Sequence, residues 1–213
     1  MNVPDPAAVL RRNRIQMVLI AVLFVAPIAM AYVVFFFFPQ WIPTHHLNKG
    51  ELVDPAREVP ALSLQALPGD DATLELFKGK WTLLQLGGAT CDAGCEKHLY
   101  MSRQLRTRLN RDARRIQRVY VAPDLAALGL VHDRLAAEHP DLAWRADAGA
   151  PGQRLTDFLQ PQDPNALYVV DPRGFWMMLY PGVADFDNYD KSTRQMEDEY
   201  KDLQKLLKLS QVD

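Results

Sequence analysis

The sequence predicts an α/β domain, a central mixed sheet flanked by helices, preceded by one N-terminal transmembrane helix. Three observations carry this reading. From Ile15 to Asn48, 34 residues pass without an Asp, Glu, Lys or Arg. Beyond them, short apolar runs bounded by Gly or Pro alternate with segments of helical period. Near the end, two strand-like runs flank Asp171-Pro-Arg-Gly174, a hairpin turn, and an amphipathic tail follows.

The first element is the apolar one. Met17 to Phe38 holds no charge, and a helix of that length, rising about 1.5 Å per residue, spans a bilayer core of about 30 Å. Pro27 is tolerated inside such a helix. A buried core helix rarely runs so long without a charge. A cleaved signal peptide should have an apolar region of only about 7–15 residues ending in small ones, whereas Ala29-Met-Ala31 is followed by Tyr-Val-Val and four phenylalanines. The segment therefore reads as an uncleaved anchor. Arg11, Arg12 and Arg14 precede it and no basic residue follows before Lys49, so the positive-inside rule puts the N-terminus in the cytoplasm and the rest outside. Tyr32 and Trp41 suit the membrane interfaces. In a bacterium this describes a single-pass protein of the inner membrane with a periplasmic domain.

Residues 39–60 carry Pro39, Pro43, Pro55 and Pro60 and read as an extended tether; the vicinal His45-His46 there read as solvated rather than metal-bound. The chain thus divides into a cytoplasmic N-terminus over 1–14, a transmembrane helix over 15–38, the tether over 39–60 and the exported domain over 61–213. In that domain Ala61–Leu67 alternates as a strand and Trp81–Leu86 is a buried strand between glycines. A helix runs from about Cys91 to Asn110, a strand over Ile116–Val121 and a helix over Asp124–Glu138. Arg154–Leu159 is a short helix, Ala166–Val170 a central strand and Phe175–Tyr180 its hairpin partner. The tail, about Asp190–Leu209, sets Met196, Tyr200, Leu203 and Leu207 on one helical face. The order ββαβα(α)ββα, closing on a hairpin and a helix, is a thioredoxin-like arrangement.

Charge and composition exclude several classes. Residues 1–14 hold three of the 24 basic and one of the 26 acidic residues, so the rest of the chain is acidic by four. That balance argues against nucleic-acid binding, which needs a basic face. Eleven Gly, 15 Pro and two Cys exclude collagen-like, disordered and disulfide-scaffold chains.

The two cysteines, Cys91 and Cys95, stand where the buried strand gives way to a helix. Four apart in a first turn, their Cα atoms lie about 6 Å apart, a separation a disulfide accepts. A helix N-terminus there would favour thiolate, and thiolates are soft ligands suited to Cu(I). A pair of packed helix-face cysteines is the plainer alternative. His98 completes C-x3-C-x2-H and is a weak candidate metal ligand. Haem attachment needs the His directly after the second Cys, and Glu96-Lys97 intervene. His132 and His139 fall on the second helix with no cluster around them, and no peroxidase Pro-x-x-x-Thr-x-x-Cys segment is present.

Gly79-Lys-Trp-Thr-Leu-Leu-Gln-Leu-Gly-Gly-x-x-Cys-x-x-x-Cys, with Tyr168-Val-Val-Asp-Pro-Arg-Gly174, resembles the SCO/SenC proteins over roughly residues 58–180. The resemblance implies a membrane-anchored thioredoxin-like factor of cytochrome c oxidase assembly. It also implies copper held by the two cysteines and a distant histidine. The cysteines map onto Cys91 and Cys95; the histidine position is Asp163, and the family's prolines after each cysteine are Asp92 and Glu96 here. Asn48-Lys-Gly-Glu-Leu52 is similar to the start of a sub-family of small anchored thioredoxin-like proteins linked to oxidase assembly. Partners implied are the bilayer and oxidase subunits or other copper and thiol assembly factors. Three functions follow: an assembly factor using Cys91 and Cys95 for thiol–disulfide exchange or Cu(I) handling, a general periplasmic thiol oxidoreductase, and an anchored binding module with a structural disulfide. A redox potential and a Cu(I) titration separate them.

Overall fold

The computed structural model describes residues 6–38, 49–68, 76–183 and 189–210, with the side chains of 6–10 and 189–190 left aside. The chain forms two compact units, Met1–Leu47 and Asn48–Asp213. In the first, helix α1 runs Pro6–Phe37 with Pro27 inside it. Its stretch Arg11–Phe37 is long and apolar enough to cross a membrane. Trp41, His45 and His46 lie outside the described residues.

The second unit is built on a seven-stranded sheet. The strands are β1 (Glu51–Glu58), β2 (Leu64–Gln65), β3 (Trp81–Leu86), β4 (Ile116–Ala122), β5 (Leu142–Asp147), β6 (Leu167–Val170) and β7 (Phe175–Tyr180), in the order β1-β7-β6-β3-β4-β5-β2. β3, β4 and β5 are parallel, β6 and β7 form the antiparallel hairpin beside β3, and β1 and β2 pair antiparallel at the edges. β3 is buried at all six positions, as a central strand covered on both faces must be. Helices α2 (Ala93–Arg108), α3 (Leu125–Leu135) and α5 (Tyr189–Leu209) supply apolar residues to one face, where Leu83, Tyr120, Leu105, Leu128 and Leu203 pack. The short helix α4 (Leu155–Leu159) serves the other, against Leu84, Val119 and Tyr168.

Three elements differ from the sequence expectation. Residues 51–58, read as tether because of Pro55, form edge strand β1. Its register slips between Leu52 and Arg57, and a bulged edge is where a sheet tolerates proline. Strand β5 was not expected, because Arg145 and Asp147 interrupt its apolar pattern, yet both are buried. Arg145 donates to the Trp144 carbonyl. Asp147 accepts from the Leu155 and Thr156 N–H groups and so starts α4. The strand expected over 61–67 shrinks to Leu64–Gln65. The remaining strands and helices of this unit fall within a few residues of their expected bounds; helix α1 begins at Pro6, ahead of the expected Ile15.

A buried arginine ties the layers together. Arg118 on β4 donates to Ser102 Oγ (3.1 Å), the Leu99 carbonyl (2.6 Å) and Asp141 Oδ1 (2.9 Å). Burial pulls its pKa down to about 10, with Asp141 opposing the fall, so the guanidinium stays charged at neutral pH and each of its partners is needed.

Candidate functional site

The site grows from the end of β3. After Leu86 the chain passes through Gly87, where a side chain is excluded: a Cβ would stand 1.8 Å from Tyr120 Oη. Cys91 follows, then Asp92, whose Oδ1 accepts from the Cys95 N–H (2.9 Å) and caps α2. Cys91 and Cys95 form a disulfide with Cα atoms 5.2 Å apart. The helix expected from Cys91 begins at Ala93, so Cys91 precedes it. The capping carboxylate of Asp92 takes up part of the positive terminus expected to favour thiolate.

Both cysteines are buried, at 2 % and 6 % exposure, in a cluster with Leu99, Tyr120, Leu128 and Trp144. Three polar side chains border them. Gln85 of β3 donates through Nε2 to the Cys95 carbonyl (3.2 Å) and lies 3.7 Å from Cys95 Sγ. Tyr120 of β4 has a buried hydroxyl without a partner; burial pushes its pKa up to about 12, eased by Arg134 and reinforced by Asp92. Arg134 of α3 reaches across to the Cys91 carbonyl and pairs with Glu96. None of the three was singled out from the sequence, although Gln85 is the lone amide in the run Trp-Thr-Leu-Leu-Gln-Leu.

His98 sits one turn along α2, 6 % exposed. Its Nε2 accepts from the Val183 N–H (2.9 Å), so it ties the helix to the segment after β7. Burial lowers its pKa to about 4, with the Asp163 carboxylate pulling the other way. Asp163 accepts from the Asn165 N–H (2.9 Å) and the Gly182 N–H (2.6 Å). The same loop brings Asn165 Nδ2 to 3.1 Å from where a Cβ on Gly94 would stand. Position 163 thus belongs to the loop over the start of α2. His132 stacks edge-to-face on Trp144 at 5.5 Å and lines a cavity of about 310 Å³ with His139. Among the described residues no group of three or more His, Cys, Asp or Glu is placed to hold a metal ion.

The model of one protein family, the transmembrane-like, thioredoxin-like C-terminal domain, matches residues 81–210, from β3 to the end of α5. The chain belongs to this family. The fold is the thioredoxin-like one. Apo Sco1 from Thermus thermophilus superposes with a TM-score of 0.51 at 20 % identity, over 76 % of this chain and 99 % of that one. A putative electron transfer protein from Aquifex aeolicus matches at 15 % identity with a TM-score of 0.48, covering 66 % of this chain and 96 % of its own. A thiol-disulfide isomerase from Corynebacterium glutamicum matches at 15 % and 0.45, covering 68 % and 98 %. No curated protein matches the chain.

Proposed function

We propose that this family member is a single-pass inner-membrane protein, N-terminus in the cytoplasm and domain in the periplasm, whose Cys91–Cys95 pair exchanges with the thiols of a partner in cytochrome c oxidase assembly. The observation that carries the exchange is the disulfide itself, standing where parallel strand β3 delivers the chain to α2. Side chains at the carboxyl end of a parallel strand are where open α/β sheets place their chemistry. The oxidase role rests on the resemblance of the C-x3-C segment and Tyr168–Gly174 to SCO/SenC proteins.

Resident copper fits this donor set poorly. The two sulfurs are bonded to each other, His98 Nε2 accepts a backbone hydrogen bond, and both Asp163 oxygens accept from N–H groups. The pair is therefore suited to thiol–disulfide chemistry, and any Cu(I) contact belongs to its reduced state in a passing encounter.

One observation favours a second reading. At 2 % and 6 % exposure, neither cysteine offers an open path to an attacking thiolate, which suits a structural disulfide. Equilibration with dithiothreitol and glutathione separates the two. A folded protein whose disulfide opens and recloses at a potential above about −300 mV supports exchange; one that is reduced only on unfolding supports the structural reading. For the oxidase role, a deletion strain should lose oxidase activity and recover it with the wild-type gene but not with Cys91→Ser.

A further inference from the structure

Gln85 is a buried amide with one foot on each of two problems. Its Nε2 donates to the Cys95 carbonyl, and its Oε1, also buried, has no partner. A carbonyl oxygen can only accept, so it holds the amide with its NH2 group toward Cys95. Cys95 Sγ, 3.7 Å from the same nitrogen, therefore meets a donor rather than an acceptor. The backbone of Gln85 is held between Tyr120 on one side and Leu167 on the other in the middle of the sheet. A donor aimed at sulfur does little for a disulfide, whose sulfurs are weak acceptors, and much more for a sulfur carrying negative charge. Among the described residues no side chain hydrogen-bonds to Cys91 Sγ: Arg134 binds the Cys91 backbone carbonyl and Glu96, and the Tyr120 hydroxyl, in the same buried cluster, has no partner.

We infer that Gln85 tips the pair toward its reduced form by stabilising a thiolate on Cys95, a refinement that rests on the exchange reading above. When a dithiol partner reduces the pair, its thiolate bonds to Cys91 Sγ. The Cys91–Cys95 bond breaks, and its electron pair stays on Cys95 beside the Gln85 NH2 group. The partner's second thiol then displaces Cys91 and closes the partner's own disulfide. Two electrons and two protons pass from the partner dithiol to the two cysteines. A better-stabilised leaving sulfur departs faster and favours the dithiol at equilibrium.

The test uses the full-length chain in detergent and compares wild type with Gln85→Leu, nearly the same size and without a donor. The oxidised-to-reduced ratio is measured in dithiothreitol buffers at pH 9, where thiols ionise, starting from both the oxidised and the reduced protein. Packing lost from both redox states cancels in this ratio, so a merely structural role leaves it unmoved. Thr82→Val, on the same strand and equally buried, is the control that lowers stability without touching sulfur. Gln85→Leu should shift the ratio about tenfold toward disulfide, about 30 mV for a two-electron couple, and Thr82→Val should leave it within twofold. A Gln85→Leu ratio within twofold of wild type, or a shift toward dithiol, overturns it. If Gln85→Leu does not fold, Gln85→Met is read the same way. Should the folded wild-type disulfide resist dithiothreitol, the exchange reading fails. The role of Gln85 is then read from the difference in unfolding free energy between oxidised and reduced protein, which gives the same ratio by a closed cycle.

Discussion

Asp92 and Asp163 both accept from backbone N–H groups, Asp92 beside the disulfide and Asp163 in the loop over the start of α2. Asp92 caps α2 through the Cys95 N–H. Asp92→Ala should lower stability by about 1 kcal/mol, the usual loss for a helix cap. It should also raise the reduction potential, because a negative charge beside the sulfurs is gone; thermal unfolding and glutathione equilibration check the two effects separately. Asp163 lies close enough to His98 for its charge to act on that imidazole. In the reduced protein, wild type should hold Cu(II) weakly, since an imidazole is a far better donor to it than a carboxylate already engaged by two N–H groups. Asp163→His should gain at least tenfold in Cu(II) affinity by isothermal titration. An unchanged affinity would mean that the 163–165 loop does not bring its side chains to the sulfurs.

At the scale of elements, α5 carries the most unusual electrostatics. Asp202 is fully buried, and its Oδ2 accepts from the Lys49 N–H, the Gly50 N–H (3.0 Å) and Tyr180 Oη (3.3 Å). One turn earlier Glu199 is buried beside it. Burial raises the Glu199 pKa from 4.5 to about 7; Asp198 and Asp202 push in the same direction and the Gln195 amide opposes them. A carboxyl whose pKa is raised on folding favours the native state where it is protonated. That advantage is full below the unfolded value near 4.5 and is gone once pH rises through 7. Stability should therefore fall between pH 5 and pH 8. Glu199→Gln, neutral and nearly the same shape, should flatten the fall, with a gain of about 2 kcal/mol at pH 8 and little at pH 5, seen in urea unfolding at the two pH values. The helix itself was legible in the sequence from Met196, Tyr200, Leu203 and Leu207 on one face. Its two buried acids were not, because in a helical pattern a carboxylate reads as solvent-facing. For the same reason β5 was hidden by Arg145 and Asp147: the first is buried with its guanidinium on the Trp144 carbonyl of its own strand, the second is buried by accepting from the start of α4, and neither shows in the apolar pattern. β1 was hidden by a proline that only a bulged edge admits. The cysteines could be read directly from spacing and position, but Gln85, Tyr120 and Arg134 arrive from three different elements, and only the fold brings them to the sulfurs.

For the whole molecule, the apolar helix and the arginines before it predict an N-in, single-pass topology. A phosphatase fused after Asp213 should be active in the periplasm, and a fluorescent protein that matures only in the cytoplasm should stay dark there. The reverse pattern would remove the oxidising surroundings on which the redox reading depends. The domain also closes on itself through widely separated contacts. β1 pairs with β7, and the Asp202 carboxylate joins Lys49 and Gly50, more than 150 positions earlier, to the last helix. Contacts of such long range form late, since the intervening loop must be ordered before they reward it. A polypeptide emerging N-terminus first cannot complete this clasp until residues near 200 have cleared the channel that delivers them. Until then Lys49, Gly50 and Tyr180 lack their common acceptor, and the surface meant for Leu203 and Leu207 stays bare. Chains cut short before α5 should accordingly be destroyed by proteases rather than accumulate, and chaperones should bind nascent forms of this domain through that uncovered face.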